Sequence, residues 1–532
     1  MLRPMTMAAA GTSSTVETIT ADCRSDWLYA GGAGETSDPL HSLRSGNPGQ
    51  HTSASPARRL RPGAIITALS VAYRYNSGYG APAVGTTLGI SIVGKQIYTS
   101  PPLVGYRYDL NRSNYSAPVH VDVTGLSIAV PSDTDARVAI EFRNNGRNVQ
   151  LLLPMVINIS CANGPCLEPA LWEPPERHVV FSAGELVNGT ACPSFRIPAL
   201  AAVGSKRLLA FVEARFHGYR PDVHPLTAIA YRHSLDGLVG ARWSPIQVLA
   251  RTRGGKGTNY PTPVYDAVTG IVHLYYSDYG KGTGYTYSTD GGLTWAPLSW
   301  ASGVLANGVG MNSLQLSDGR LVVPCTVNRT RATCFSDDHA KTWRAGAAVA
   351  LAPSLRAALV ADRGKTSSLD DGSHDDVTGG LDGCGETSIA RDGRGPRTLA
   401  LFCRLGSSAL VNHAVATSDD GGETWSLAQP LPSIVGPTCQ GSVGPLAAAN
   451  GSVLVSAPSS RDGSLNGREN LGLWTVDLTT GRAYVAEHKG RLWGCKGAYS
   501  AFSQDGTMNL FEAGENFRYA SIVLARRLGG VA

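Results

Sequence analysis

Apolar and polar residues alternate in short runs along this chain, and clusters of Gly, Pro, Asn, Asp and Ser separate the runs. Ile65 to Tyr75, Leu88 to Val93, Val119 to Val123 and Arg137 to Phe142 are of this kind, the last joined through Asn145-Gly146 to Val149 to Ile157. A period of two turns one face toward a core and the other toward water, so each run predicts a strand, and Asn-Gly predicts a tight hairpin. No long segment has the periodicity of an amphipathic helix, and the chain reads as all-β.

A second pattern lies over the first. Ser-x-Asp-x-Gly-x-Thr-Trp occurs in full at Ser288 to Trp295 and at Ser418 to Trp425. A third copy, Ser336 to Trp343, carries His339 and Ala340 where the others have Gly, and Ser234-Leu235-Asp236-Gly237 reaches Trp243 two residues late. Each copy follows an alternating run such as Gly284-Tyr285-Thr286-Tyr287. The expected structure is a hairpin turn in which Asp accepts from the turn amides, Gly takes a positive φ and Trp packs beneath. Spacings of 54, 48 and 82 residues between the four starts fit one structural unit recurring around a β-propeller, with one long insertion. Such a motif staples a fold, and function has to be read elsewhere.

Gly at 62 and Pro at 31 of 532 residues, with 16% charged, agree with a turn-rich β protein. A net charge of +5 over that length gives no reason to expect nucleic acid. Ten cysteines show no C-x-x-C spacing, so no zinc site is expected. Their even number is compatible with disulfides, Cys325 with Cys334 and Cys161 with Cys166 being candidates, and equally with free buried thiols. Sequons at Asn111, Asn114, Asn158, Asn188, Asn328 and Asn450 lean toward a secreted or lumenal route, whereas Met1 to Thr20 lacks the apolar core of a signal peptide. No stretch approaches the length of a membrane span, and the chain is expected to be soluble.

Four regions are expected. Residues 1–60 are Ser/Thr/Gly/Pro-rich and read as mostly disordered. Residues 61–166 read as a small β-sandwich of a kind that binds carbohydrate, where Tyr73, Tyr75, Tyr79, Tyr106 and Tyr108 would stack on sugars or, more often in such positions, fill the core. Residues 167–177 form a Pro-rich linker, and 178–532 form the main domain.

Within that domain, Phe195-Arg196-Ile197-Pro198, Glu213-Ala214-Arg215 and Asp222 are followed by Gly385-Glu386, Arg404 and Cys439-Gln440-Gly441-Ser442-Val443. Arg468-Glu469-Asn470-Leu471-Gly472, Ala498-Tyr499-Ser500 and Leu510-Phe511-Glu512 complete the series. In this order, with Asp boxes between them, these segments resemble the exo-α-sialidases over roughly residues 178 to 527. The resemblance implies a six-bladed β-propeller and a glycoside hydrolase acting on sialylated glycans, with no cofactor and no metal. No oligomeric state follows from it.

A sialic acid carries a carboxylate on its anomeric carbon, and the resemblance assigns Arg196, Arg404 and Arg468 to bind it, since guanidinium groups stay charged and fork onto carboxylates. Glu512 would hold Arg196. That fixed negative charge also repels an anionic nucleophile, and the family's nucleophile is a tyrosine, here Tyr499. A phenol is weak at neutral pH and needs a base, for which Glu386 is placed, although Gly385 departs from the commoner Asn-Glu pair and loosens the backbone there. Asp222, in the loop after Arg215, would act as acid and then as base toward water, giving retention. Arg215 would contact the sugar or brace Asp222. Asp370, Asp371, Asp375, Asp376 and Asp382 crowd the insertion before Glu386 without the spacing of a calcium loop, and no metal is assigned.

The reading is therefore a retaining exo-α-sialidase. Transfer to another sugar, a preference for deaminated sialic acid, and a non-catalytic sialoglycan-binding propeller are the alternatives. The last predicts loss of Tyr499, Glu386 or Asp222, and all three are present.

Overall fold

The computed structural model describes residues 176–307, 310–327, 330–362, 384–405, 412–434, 436–446, 451–459, 468–480, 484–514 and 519–526, together with 64–76, 87–92, 95–101, 119–130, 140–144, 148–161 and five strands before residue 57. The acidic insertion from 363 to 383, Tyr79, Tyr106, Tyr108 and Cys166 lie outside the described residues. The chain divides into two units, Met1–Ala170 and Leu171–Ala532.

In the first unit, Ile65–Asn76 and Asn148–Cys161 pair antiparallel at the centre of a seven-stranded sheet. Leu88–Ile92 and Ile140–Asn144 are the middle of a five-stranded one. Alternation sends Ile66, Leu69, Val71, Ile157 and Ile159 of the first sheet and Ile90 and Ile92 of the second into one buried cluster. Tyr73 belongs to that cluster, 1% exposed, so it packs the core and offers no stacking surface. Within 1–60, the segment whose composition reads as mostly disordered, five strands are described. Thr15–Ala21 pairs with Asn148–Cys161 along seven residues, and Trp27–Gly31 pairs with His51–Pro56. Polar strands of this kind gain their stability from a neighbouring sheet edge, which composition does not report.

The second unit holds four four-stranded antiparallel sheets in chain order. The first contains Ser194–Val203, Arg207–Arg215, Thr227–His233 and Gln247–Arg251. The second starts at Thr258–Asp266, the third at Leu314–Gln315 and the fourth at Thr387–Arg391. A seven-stranded sheet follows, in which Val485–Phe502 pairs with Glu469–Asp477 through its first part and with Met508–Gly514 through its last. Its edge strand Glu176–Ser182 is the first of the unit and pairs with the last, Ser521–Arg526. The described helix is Pro353–Asp362, and no described helix is long and apolar enough to cross a membrane.

Buried clusters join each sheet to the next. Leu209 and Tyr231 of the first sheet meet Leu274 and Tyr276 of the second. Tyr275 then meets Val323, Val322 meets Leu401, and Phe402 meets Val455. The series returns to its start where Leu510 and Leu524 pack with Leu208 and Val212.

The repeats sit at these junctions. Each complete copy follows the third strand of its sheet, and Asp290 accepts from the amides of Leu293 and Thr294 and from the Thr294 hydroxyl. Gly421 and Gly422 have φ of 76° and 90°. In the imperfect copy His339 and Ala340 adopt φ of 61° and 64°, so the turn keeps its shape at a cost in backbone strain, offset in part by the His339 Nδ1 contact with Asp266 at 2.8 Å. Trp243 donates to the Gly240 carbonyl of its own turn at 2.9 Å, but the other three tryptophans do not pack beneath theirs. Trp295 packs edge-on against Phe211 and Tyr231, and Trp343 against Tyr275, in each case a residue of the preceding sheet. Trp425 donates to Thr333 Oγ1 of the preceding sheet at 3.1 Å. The motif staples sheet to sheet.

Cys325 and Cys334 are bridged as expected, and a second disulfide joins Cys384 to Cys403. Cys161 is also disulfide-bonded, whereas Cys192 and Cys439 are free and buried.

A methyl group on Gly422 would require a left-handed backbone and would meet Thr333 Oγ1 at 2.8 Å. Gly422→Ala is expected to lower the unfolding free energy by about 2 kcal/mol in urea titrations.

Candidate active site

The residues singled out in sequence converge at one end of the second unit's sheets, and irregular backbone is what turns several of them inward. The pairing of Ser194–Val203 slips between Arg196 and Ala199, that of Thr258–Asp266 between Asn259 and Thr262, and that of Val485–Phe502 between Gly497 and Ser500. Such bulges re-aim side chains. Ile197 and Tyr260 hold φ of 53° and 54°, a conformation disfavoured for any residue with a Cβ and most for a β-branched one.

Glu512, fully buried on the strand Met508–Gly514, anchors two of these bulges. Its Oε1 accepts from Arg196 Nε at 3.0 Å and from the Ile197 amide at 2.8 Å, and its Oε2 accepts from the Tyr499 amide at 3.2 Å. The Arg196 guanidinium then lies 4.0 Å from the Tyr519 ring centre and 5.1 Å from that of Tyr499.

The Tyr499 hydroxyl donates to Glu386 Oε1 at 2.6 Å. Arg404 Nη1 donates both to Glu386 Oε2 at 2.8 Å and to Tyr499 Oη at 3.1 Å. Burial pushes the Glu386 carboxyl up, but Arg404, the Tyr499 hydroxyl and Arg468 outweigh it and hold it below the ordinary carboxylate range. Burial and the Glu386 charge raise the Tyr499 phenol well above its usual value, against the pull of Arg404 and Arg468. The pair is therefore an anionic carboxylate facing a neutral phenol. Despite Gly385, the backbone here is held, since the Gly385 amide donates to the Arg404 carbonyl and the Arg404 amide to that of Glu386.

Asp222 lies on the loop between Arg207–Arg215 and Thr227–His233, about a third exposed. Its Oδ1 accepts from Arg196 Nη1 at 3.0 Å and from Arg215 Nη1 at 2.5 Å. Burial raises this carboxyl, yet the two arginines lower it to about 2. Arg215, 1% exposed, also binds Glu213 Oε2 through Nε and Nη2, and so braces Asp222.

Among the described residues four arginines, Arg196, Arg215, Arg404 and Arg468, face four carboxylates, Glu213, Asp222, Glu386 and Glu512. Arg468 has no carboxylate partner among them; its guanidinium donates to Tyr519 Oη and to the Thr438 carbonyl, both at 3.5 Å. Arg404 Nε is buried without a partner. Guanidinium donors left open among buried groups are chemically suited to an anion.

A BNR repeat-like domain matches residues 206–494, more than half of the chain. A sialidase of Micromonospora viridifaciens is 32% identical over 239 residues, 37% of this chain and 35% of that protein. The chain is a member of the sialidase family that carries BNR repeats. Human sialidase-4 is 28% identical over 297 residues, 47% of this chain and 54% of that one. The chain thus spans about a third and about half of the lengths of these two relatives. The NanB sialidase of Streptococcus pneumoniae has a similar fold, with a TM-score of 0.50 at 14% identity, over 90% of this chain and 99% of that one.

Two residues of this site, Tyr519 and Tyr260, escaped sequence reasoning, and Glu213 was read only as part of a motif. Glu213 and Tyr519 hold Arg215 and Arg196. Tyr260 donates its hydroxyl to Glu386 Oε1 at 3.0 Å and its amide to Glu213 Oε1 at 3.0 Å. In sequence Tyr260 is one aromatic residue at the start of an alternating run, and only the bulge turns it toward the site.

Removing Glu512 leaves Arg196 buried with its Nε unpaired and two amides without their acceptor. Glu512→Ala is expected to lower stability by about 3–5 kcal/mol in chemical unfolding.

Proposed function

We propose that this chain is a retaining exo-α-sialidase that hydrolyses terminal sialic acids of glycoconjugates through a glycosyl-tyrosine intermediate. The observation that carries the reading is the Tyr499 hydroxyl 2.6 Å from Glu386 Oε1, inside a pocket whose arginines keep donors open.

The substrate carboxylate is bound by Arg196, Arg404 and Arg468. Tyr499 Oη attacks the anomeric carbon while its proton passes to Glu386 Oε1. The bond from that carbon to the glycosidic oxygen breaks, and Asp222 gives this oxygen a proton. Water then attacks the same carbon, Asp222 takes the water's proton, and the tyrosyl bond breaks with Glu386 returning the proton to Tyr499. Two inversions give net retention.

Charge balance links the first steps. An entering carboxylate adds a negative charge beside Asp222, whose Oδ1 is held by Arg196 and Arg215. As Arg196 turns toward the substrate it releases Asp222, whose carboxyl rises from about 2 and takes up the proton it must donate.

The sheets of the second unit support the six-bladed propeller reading. On that reading the seven-stranded sheet would be two blades sharing Val485–Phe502, and the pairing of Glu176–Ser182 with Ser521–Arg526 supports closure of the ring.

With a fluorogenic α-sialoside, Tyr499→Phe should lower kcat by about 10²-fold or more with KM changed by less than about threefold. Near wild-type turnover would remove Tyr499 as nucleophile, and a wild-type protein that binds the sialoside without hydrolysing it would make the chain a lectin.

A further inference from the structure

Glu386 accepts from two phenols. Tyr499 Oη and Tyr260 Oη both donate to Oε1, at 2.6 and 3.0 Å, while Arg404 Nη1 donates to Oε2 at 2.8 Å. Tyr260 comes from the strand Thr258–Asp266, Tyr499 from Val485–Phe502 and Glu386 from the residue before Thr387–Arg391, so three separate sheets meet at one carboxylate. Tyr260 reaches it only by holding a left-handed φ of 54° at a bulge, and its amide is tied to the buried Glu213 at 3.0 Å. A strained backbone persists where its surroundings over-determine it. Here those surroundings are the Glu213 carboxylate at one end of the residue and the Glu386 carboxylate at the other.

We propose that Tyr260 is a positioning residue for the base, a second phenol that fixes Glu386 Oε1 toward the Tyr499 proton and sets the pH range over which that oxygen can accept it. This rests on the sialidase reading above.

Two effects follow. The first is geometric. Gly385 supplies no side chain to steady the Glu386 head group, so that steadying falls to Arg404 on one oxygen and Tyr260 on the other. A carboxylate gripped at both oxygens cannot rotate away from Tyr499. The second is electrostatic. A donor to the ionised form stabilises that form, so Tyr260 keeps Glu386 anionic to lower pH and makes it a slightly weaker base.

The titratable groups facing Glu386 are Arg404 from the strand beside it, Arg468, Cys439 and the two phenols, and Arg331 faces Tyr260 from the neighbouring sheet. Burial first and the Glu386 charge second raise the Tyr260 phenol well above its ordinary value, so Tyr260 stays a donor throughout the working range. Unlike Tyr499, it holds its proton at every step. Once Glu386 has taken the Tyr499 proton, the contact to Tyr260 weakens to one between neutral groups, which favours return of that proton when the intermediate is hydrolysed.

The test is Tyr260→Phe, which keeps the ring and its packing and removes the hydroxyl alone. In carboxyl-stretch infrared titration, with the Glu386 band assigned by its loss in Glu386→Gln, the Glu386 pKa should rise by about one unit. This measurement needs no turnover and stands even if the sialidase reading fails. On a fluorogenic α-sialoside the acid limb of the kcat profile should move up by the same amount, with kcat about tenfold lower and KM within about twofold. In the Glu386→Gln background the second substitution should add little, since Tyr260 acts through Glu386. An unchanged Glu386 titration, or fully additive losses in the double variant, would overturn the proposal. If Tyr260→Phe lost the fold, Tyr260→Gln, which keeps a donor at that position, should retain both fold and titration, and a Glu386 pKa shifted in Tyr260→Gln as far as in any donor-free variant would likewise overturn it.

Discussion

One buried carboxylate holds the site together. Glu512 accepts from Arg196 and Ile197 on the strand Ser194–Val203 and from Tyr499 on the strand Val485–Phe502, residues that lie more than three hundred positions apart in the chain. Each of its partners sits at a bulge where the sheet ladder has been interrupted and an amide released. A freed amide inside a protein has to find an acceptor, and a freed guanidinium inside a protein has to find an anion. Glu512 answers both needs, and in doing so it sets the distance between Arg196 and Tyr499.

The surrounding architecture makes that placement possible. Each sheet shares an apolar cluster with its neighbour, and the repeats place Trp295, Trp343 and Trp425 on the preceding sheet. Apolar burial between sheets is non-directional and would tolerate some sliding. A tryptophan edge or indole N–H seated on a particular residue of the next sheet does not tolerate it. The sheets thereby hold their inner strands at matching depth, where Arg196, Tyr260, Glu386 and Tyr499 all face one space.

Inside that space electrostatics and geometry oppose each other usefully. Four arginines and four carboxylates are brought out of water, a costly arrangement for any one unpaired member. The pairing is nevertheless uneven, because Asp222 is shared between Arg196 and Arg215 while Arg468 has no carboxylate among the described residues. A pocket filled evenly would have nothing to offer a ligand. The uneven one leaves guanidinium donors open and ties Asp222 to Arg196 and Arg215 together.

The sequence by itself determined the all-β class, the turn chemistry of the repeats and the identity of the charged residues. All of these follow from local causes: period-two alternation, the demand of a left-handed turn for Gly, and residue types written in order along the chain. His339 and Ala340 mark the limit of local reading, since a turn missing both glycines keeps its form through Asp266 of a neighbouring sheet. The strand Thr15–Ala21 marks it again, because its pairing is with Asn148–Cys161, far along the chain, which composition does not report. Only the tertiary structure decided that Arg215 braces Asp222, that Trp belongs to the sheet before its own, and that Tyr260 shares an oxygen with Tyr499. These contacts join residues distant in the chain through backbone irregularities whose direction no propensity or spacing encodes, so they exist only once the sheets have packed.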